Sequence, residues 1–145
     1  MEKEIYEQPD VISCLIKKYA DKDNNIAFDI PENFKKVSIT ASGSSYHSAA
    51  IAAYFIRKHT HLYAQAHYAS EIALAGDIDV DDETMYVFIS QSGETSDTNE
   101  ALNKIRFKTD KTVAVTNTKN SMLYDIDDMK KLFNTIKDKE NKCEE

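Results

Sequence analysis

Met85-Tyr86-Val87-Phe88-Ile89 is apolar at five consecutive positions, and the run closes at Ser90. A strand without polar alternation has to be covered on both faces, as in a parallel sheet with helices above and below it. Three other short runs rich in β-formers accompany it, Val37 to Ala41, Leu62 to Ala66 and Thr112 to Thr116, with the apolar run itself read as Met85 to Ser90. Helical candidates fill the gaps: Tyr46 to Lys58, Ser70 to Ala75 and Asp97 to Phe107. Strands that alternate with helices pair in parallel through crossovers. The expected fold is therefore α/β in three layers, a parallel sheet of four or five strands with flanking helices. The Tyr46 helix is apolar nearly all round and is expected to be buried.

The flanks differ from this pattern. From Gln8 to Ala20, the residues Ile12, Leu15, Ile16 and Tyr19 form an amphipathic stripe, with Pro9 tolerated in the first turn. Polar residues Asp21 to Asn25 then break it. Near the other end Met129, Leu132, Phe133 and Ile136 mark a further helix that fades into a charged tail. The organisation expected is an N-terminal helix and linker over 1–25, a central domain over 26–128, and a C-terminal helix and tail over 129–145. A chain of 145 residues suffices for one core.

Charge limits the partners. The net charge is −7, and between Lys58 and Lys104 there is no lysine or arginine, whereas Asp77, Asp79, Asp81, Asp82 and Glu83 form an acidic run. Nucleic acid needs a basic face, so it is not expected as a partner. The acidic run lacks the spacing of an EF-hand calcium loop and is read as a solvated connector. No apolar run approaches the ~18 residues of a membrane span and no signal pattern opens the chain, so no membrane partner is expected and the location expected is cytoplasmic. Cys14 and Cys143 fit neither a disulfide framework nor a metal pattern, and both are read as free thiols. Neither His59, His61 nor His67 has metal-ligand spacing with a third partner. No metal and no cofactor is expected.

With only three glycines in the chain, their places carry information. Gly43 and Gly93 lie fifty residues apart, each after a strand and before a helix, in Ser42-Gly-Ser-Ser45 and Ser90-Gln-Ser-Gly-Glu-Thr95. Gly76 follows the short helix and is read as its C-terminal cap. In an open parallel sheet, ligands bind at the carboxyl ends of the strands. The two loops there offer the hydroxyls of Ser44, Ser45, Ser90, Ser92 and Thr95, the Gln91 amide and unpaired N–H groups at helix starts. Such donors, with the positive end of the helix dipole, attract an anion, phosphate above all. The same residues equally read as tight turns, with Ser96 or Asp97 capping a helix. Gly-x-x-x-x-Gly-Lys and Gly-x-Gly-x-x-Gly are both absent, which argues against ATP and NAD.

The segment Ser90-Gln-Ser-Gly-Glu-Thr-Ser-Asp-Thr98 after an apolar strand resembles the signature of sugar isomerase (SIS) domains. Ser42-Gly-Ser-Ser-Tyr-His-Ser48, Ala69-Ser-Glu71 and Thr116-Asn-Thr118 are similar to elements of one branch of that family, the first SIS half in the isomerase part of glutamine:fructose-6-phosphate aminotransferases (glucosamine-6-phosphate synthases). Lys3 to Pro9 resembles the helix that opens that part. The resemblance runs from about Lys3 to Asp128 and implies the SIS fold. It also implies that Ser90, Gln91, Ser92 and Thr95, with Ser44, hold the phosphate of a hexose 6-phosphate, fructose 6-phosphate or glucosamine 6-phosphate, while Ser45 contacts the sugar.

The departures shape what is expected of function. The family's glutaminase domain starts at an N-terminal cysteine, whereas this chain opens with Met1 at the isomerase-type helix. The second SIS half, which supplies a glutamate base and a lysine, has no counterpart in the terminal Met129-Lys-Lys-Leu-Phe-Asn-Thr-Ile-Lys stretch. The chain is thus read as a phosphosugar-binding module, with no catalytic residue assigned. It is expected as a homodimer or with a partner chain that supplies a second SIS half. An active isomerase, either as an oligomer or completed by another chain, and a non-catalytic oligomerisation module are the alternatives. Ser42 stands where cysteine is usual. His47 is read as structural, Glu71 as a sugar-facing or structural carboxylate, and Glu94 as turned away from a phosphate or toward a neighbouring subunit.

Overall fold

The computed structural model describes residues 2–20, 33–118 and 120–124. The chain divides into two compact units, and each is treated by itself. In the first, helix α1 covers Glu2–Tyr19. It starts earlier than the stripe from Gln8 suggests, so Pro9 lies inside the helix rather than in its first turn. There it withholds one N–H from the helix ladder. Cys14 is disulfide-bonded. This corrects the free-thiol expectation for it, which rested on spacing along the chain, a quantity that sets no limit on distance in space. Cys143, the expected C-terminal helix and a possible fifth strand lie outside the described residues.

The second unit, Ile30–Lys130, holds strands β1 (Lys36–Ala41), β2 (Tyr63–Tyr68), β3 (Thr84–Ser90) and β4 (Thr112–Thr116) and helices α2 (Ser44–His59), α3 (Ala69–Leu74) and α4 (Ser96–Arg106). The described strands form one parallel sheet in the order β2-β1-β3-β4. Register is in step across the centre, with Ile39 opposite both Ala66 and Val87.

Two cores lie on opposite faces of the sheet. Val37, Ile39, Ala41, Ala64 and Met85 pack with Ala49 and Ala53 of α2, and Val87 and Ile89 join them. Tyr86, Phe88 and Ala114 pack with Ala101, Leu102 and Ile105 of α4, and Ile72 of α3 lies against this cluster. Alternate residues of β3 thus enter different cores, which is why the strand shows no polar alternation. The arrangement is three-layered, helix over sheet over helices.

Two expectations are corrected. α2 is not buried all round: it buries Ala49 and Ala53, while Ile51, Tyr54 and Phe55 are 51–59% exposed. A helix lying on one face of a sheet has only one stripe to bury, whatever its composition. Gly76 does not cap α3 in the left-handed conformation; Ala75 closes the helix in an extended conformation and donates its N–H to the Glu71 carbonyl.

The connector that carries the acidic run leads into the amino end of β3. Its carboxylates meet lysines from other elements: Asp77 pairs with Lys108, Asp81 with Lys36 at 3.3 Å, and Glu83 with Lys35. The Lys111 ammonium donates to the Asn33 and Asp82 carbonyls. Lys104 donates to the Ala73 and Ala75 carbonyls at the end of α3, where helix carbonyls are left over.

Candidate phosphate-binding site

Strand order decides where a ligand can enter. From β1 the chain crosses through α2 to β2 on one side, and from β3 it crosses through α4 to β4 on the other. Right-handed crossovers in opposite directions place α2 and α4 on opposite faces. The loops after β1 and β3 therefore part at the carboxyl edge and leave a crevice between adjacent strands, the switch point at which open α/β sheets bind ligands. Gly43 lies in one loop and Gly93 in the other.

Gly43 sits at φ 54 and ψ −133 as N-cap of α2, a conformation that side chains of L-residues rarely adopt. A Cβ built there meets nothing within 4 Å, so the backbone faces open space. Ser44 beyond it is exposed and Ser45 half-buried. Ser42, just before it, shares a hydrogen bond with Thr98 of α4, Oγ to Oγ1 at 3.2 Å.

The second loop is more tightly held. Ser90 is 3% exposed; its Oγ accepts from the Gly93 N–H at 3.0 Å and lies 3.0 Å from Thr95 Oγ1. Ser92 Oγ accepts from the Glu94 N–H at 3.2 Å. Gly93 has φ 69, and a Cβ there would stand 2.5 Å from Ser121 Cβ and 2.9 Å from Thr116 Oγ1. Glycine is thus required here by space as well as by conformation. The turn after β4 grips the loop from outside: Asn117 N–H and Thr118 Oγ1 donate to the Gln91 carbonyl, and Leu123 N–H donates to the Gly93 carbonyl. Met122 N–H donates to Glu94 Oε1 at 2.9 Å, so the Glu94 carboxylate points away from the crevice.

The expected site residues accordingly divide by accessibility. Ser44, Gln91 and Ser92 are exposed, Ser45 and Thr95 are half-buried, and Ser90 is buried within the loop. Ser92 uses its oxygen as an acceptor, which leaves its hydroxyl hydrogen for a ligand. Thr95, rather than Ser96 or Asp97, is the N-cap of α4, and it makes no side-chain cap bond to the helix. His47 is exposed in the first turn of α2, edge-on to Tyr46, whose ring stacks on Tyr68 at 3.7 Å. Glu71 lies in α3 near His67; burial lowers the His67 pKa and Glu71 pulls it back up. Among the described residues no group of three or more His, Cys, Asp or Glu gathers as a metal site. None of their helices is long and apolar enough to cross a membrane.

Sequence reasoning missed the Ser42–Thr98 bond and the grip of residues 117–123. One local signal was available for the first: Ser38, Thr40 and Ser42 alternate with Val37, Ile39 and Ala41, so β1 turns apolar side chains toward α2 and hydroxyls toward α4.

The SIS domain family matches residues 32–139. The chain belongs to the SIS family. The chain is similar to the glutamine–fructose-6-phosphate aminotransferase (isomerizing) of Aquifex aeolicus, 38% identical over 117 residues, or 81% of this chain and 19% of that protein. The Chlamydia caviae enzyme of the same name is 41% identical over 112 residues, 73% of this chain and 18% of its own length. Among solved structures, the C-terminal domain of the Francisella tularensis glucosamine-fructose-6-phosphate aminotransferase superposes with a TM-score of 0.73 at 38% identity, over 84% of this chain and 35% of that one. The SIS chain described here therefore spans about a fifth of the length of the curated relatives it matches.

Proposed function

We propose that this SIS domain binds a hexose 6-phosphate, fructose 6-phosphate or glucosamine 6-phosphate, by seating the phosphate between the loops that follow β1 and β3. The observation that carries the reading is the pair of loops at the switch point, each turned by a glycine at positive φ and presenting exposed neutral donors: Ser44 from one, Gln91 and Ser92 from the other. Ser45 contacts the sugar, Thr95 adds a half-buried hydroxyl, and Ser90 holds the second loop in shape through its bonds to Gly93 and Thr95. Neutral hydrogen bonds and two helix N-termini suit a dianion. With charge-assisted bonds of roughly 1.5–3 kcal/mol each, a few such contacts correspond to affinity in the micromolar to millimolar range. The relatives named above are aminotransferases that act on fructose 6-phosphate by name, which supports the choice of ligand.

Calorimetric titration with both sugar phosphates tests this. Saturable heat is expected, together with at least a severalfold loss of affinity in Ser92→Ala and no binding of unphosphorylated fructose. Absence of heat at millimolar ligand, or binding indifferent to Ser92→Ala combined with Ser90→Ala, overturns it.

The exposed Ile51, Tyr54 and Phe55 on one side of α2 favour a second element of the proposal, burial of this face against another SIS domain, either a second copy or a partner chain. Sedimentation of wild type against Phe55→Glu checks the homodimer: a dimer that the variant dissociates is expected, and a wild-type monomer rules it out.

A further inference from the structure

The carboxyl edge contains a layer of hydroxyls beneath the loops, and its members are unequally used. Thr40, Ser90 and Thr98 are 1%, 3% and 0% exposed, and Ser42 is half-buried above them. Ser90 is occupied inside its own loop. The Ser42–Thr98 bond differs in kind, because it joins residues 56 apart: the first comes directly before Gly43, the second lies in the first turn of α4. It is a link from the β1 loop to the element that begins where the β3 loop ends. The β1–β3 ladder ends where the loops begin, at Ala41 opposite Ile89, and beyond it the other bonds described hold each loop separately. Gly43 faces open space, and the turn over residues 117–123 grips the second loop alone.

We propose that the Ser42–Thr98 hydrogen bond is a strut that sets the gap between the two loops, which makes Ser42 and Thr98 positioning residues for phosphate recognition although neither is assigned to touch the ligand. The proposal rests on the phosphosugar reading above. Its physical basis is the narrow distance tolerance of hydrogen bonding: donors 0.5 Å out of place on one side of a phosphate cannot all stay within about 3.2 Å of its oxygens. Thr98 is suited to the task because it is wholly buried and β-branched, so its rotamer is fixed by packing. A serine at position 42 brings an oxygen of full acceptor and donor strength to the partner.

The test is a double-mutant cycle on the full chain with Ser42→Ala, Thr98→Val and both together, read by fructose 6-phosphate affinity and by thermal midpoint. Each single change is expected to weaken binding about tenfold, and the double no further, since both remove one bond. Thr98→Ser, which keeps the hydroxyl, is expected to restore affinity. Additive losses, or unchanged affinity with a lowered midpoint, would make the pair merely structural and overturn the proposal. Amide exchange without ligand separates its failure from failure of the ligand reading. Faster exchange over residues 43–46 and 93–96 in both single variants is expected from a strut. Unchanged exchange overturns it even where the wild type binds no sugar phosphate.

Discussion

The two edges of the sheet are furnished in opposite ways. At the amino edge, charge is abundant and partly paired: Asp77, Asp81 and Glu83 each meet a lysine from elsewhere in the chain, and Lys111 is held by carbonyls. At the carboxyl edge the described loops are built from serines, threonines, one glutamine and two glycines at positive φ, and the Glu94 carboxylate is tied to the outer turn. Exposed pairs contribute little to stability, being screened by water and salt. What they do achieve is to gather the acidic run at the edge away from the crevice. Helix N-termini at the carboxyl edge then present their positive ends to a crevice lined by neutral donors.

The largest effect that separates the edges is expected at Gly93. Gly93→Ala places a methyl against Ser121 and Thr116 at a positive φ, so strain and overpacking add to roughly 2–4 kcal/mol. Gly43→Ala meets open space and carries the conformational cost alone, about 1–3 kcal/mol. Urea denaturation of both variants measures the difference. Equal losses would mean that the outer turn does not hold the second loop.

Next in size is a contrast within one loop. Ser90→Ala leaves the buried Gly93 N–H without its acceptor, and a loss of about 1–3 kcal/mol in stability is expected. Ser92 is exposed, so Ser92→Ala is expected to change stability by less than about 0.5 kcal/mol while it weakens ligand binding. Thermal melts and titrations on the same two proteins check the split. The reverse order would exchange the roles assigned to the two serines.

How far this was legible beforehand depends on the range of the interaction. The strands stood out because burial on both faces leaves a local mark, the unbroken apolar run before Ser90. β2 was placed one residue early and stopped short at Ala66, because His67 and Tyr68 continue the strand at the sheet margin with polar or amphipathic side chains. α2 was misjudged because composition records how much apolar surface a helix has and not how much its neighbours cover. The two glycine loops were recognisable from short motifs. Their supports were not: Ser42 and Thr98 are 56 residues apart and Glu94 and Met122 are 28 apart, so only the folded sheet edge brings them together. The acidic run, read as a solvated connector, is exposed, but three of its five acids, Asp77, Asp81 and Glu83, are paired, and their lysines likewise come from distant positions.

The smallest expected effect lies at the amino edge and concerns pH. Hydrogen bonding and attraction from Lys35 hold the Glu83 carboxyl below its ordinary value, and Lys108 does the same for Asp77. At Asp81 burial pushes upward, but hydrogen bonds from Thr84 and Lys36 outweigh it and the net shift is downward. A carboxyl whose folded pKa is depressed contributes stability that is complete above its unfolded pKa and is lost as pH falls through the folded one. The contribution is therefore present at pH 7 and fades below about pH 4.5. Lys35, raised by Glu83, has the mirror behaviour, with its share present below about pH 10.5 and lost above it. Asp77→Asn with Glu83→Gln is expected to leave the neutral-pH melting temperature nearly unchanged and to flatten its fall on acidification, most visibly at low salt. Because the pairs stand at the edge away from the crevice, sugar-phosphate affinity at pH 7 should not respond. A change in that affinity, with the acid slope unaltered, would show that charge at the amino edge is felt at the carboxyl edge and would remove the separation on which the site was argued.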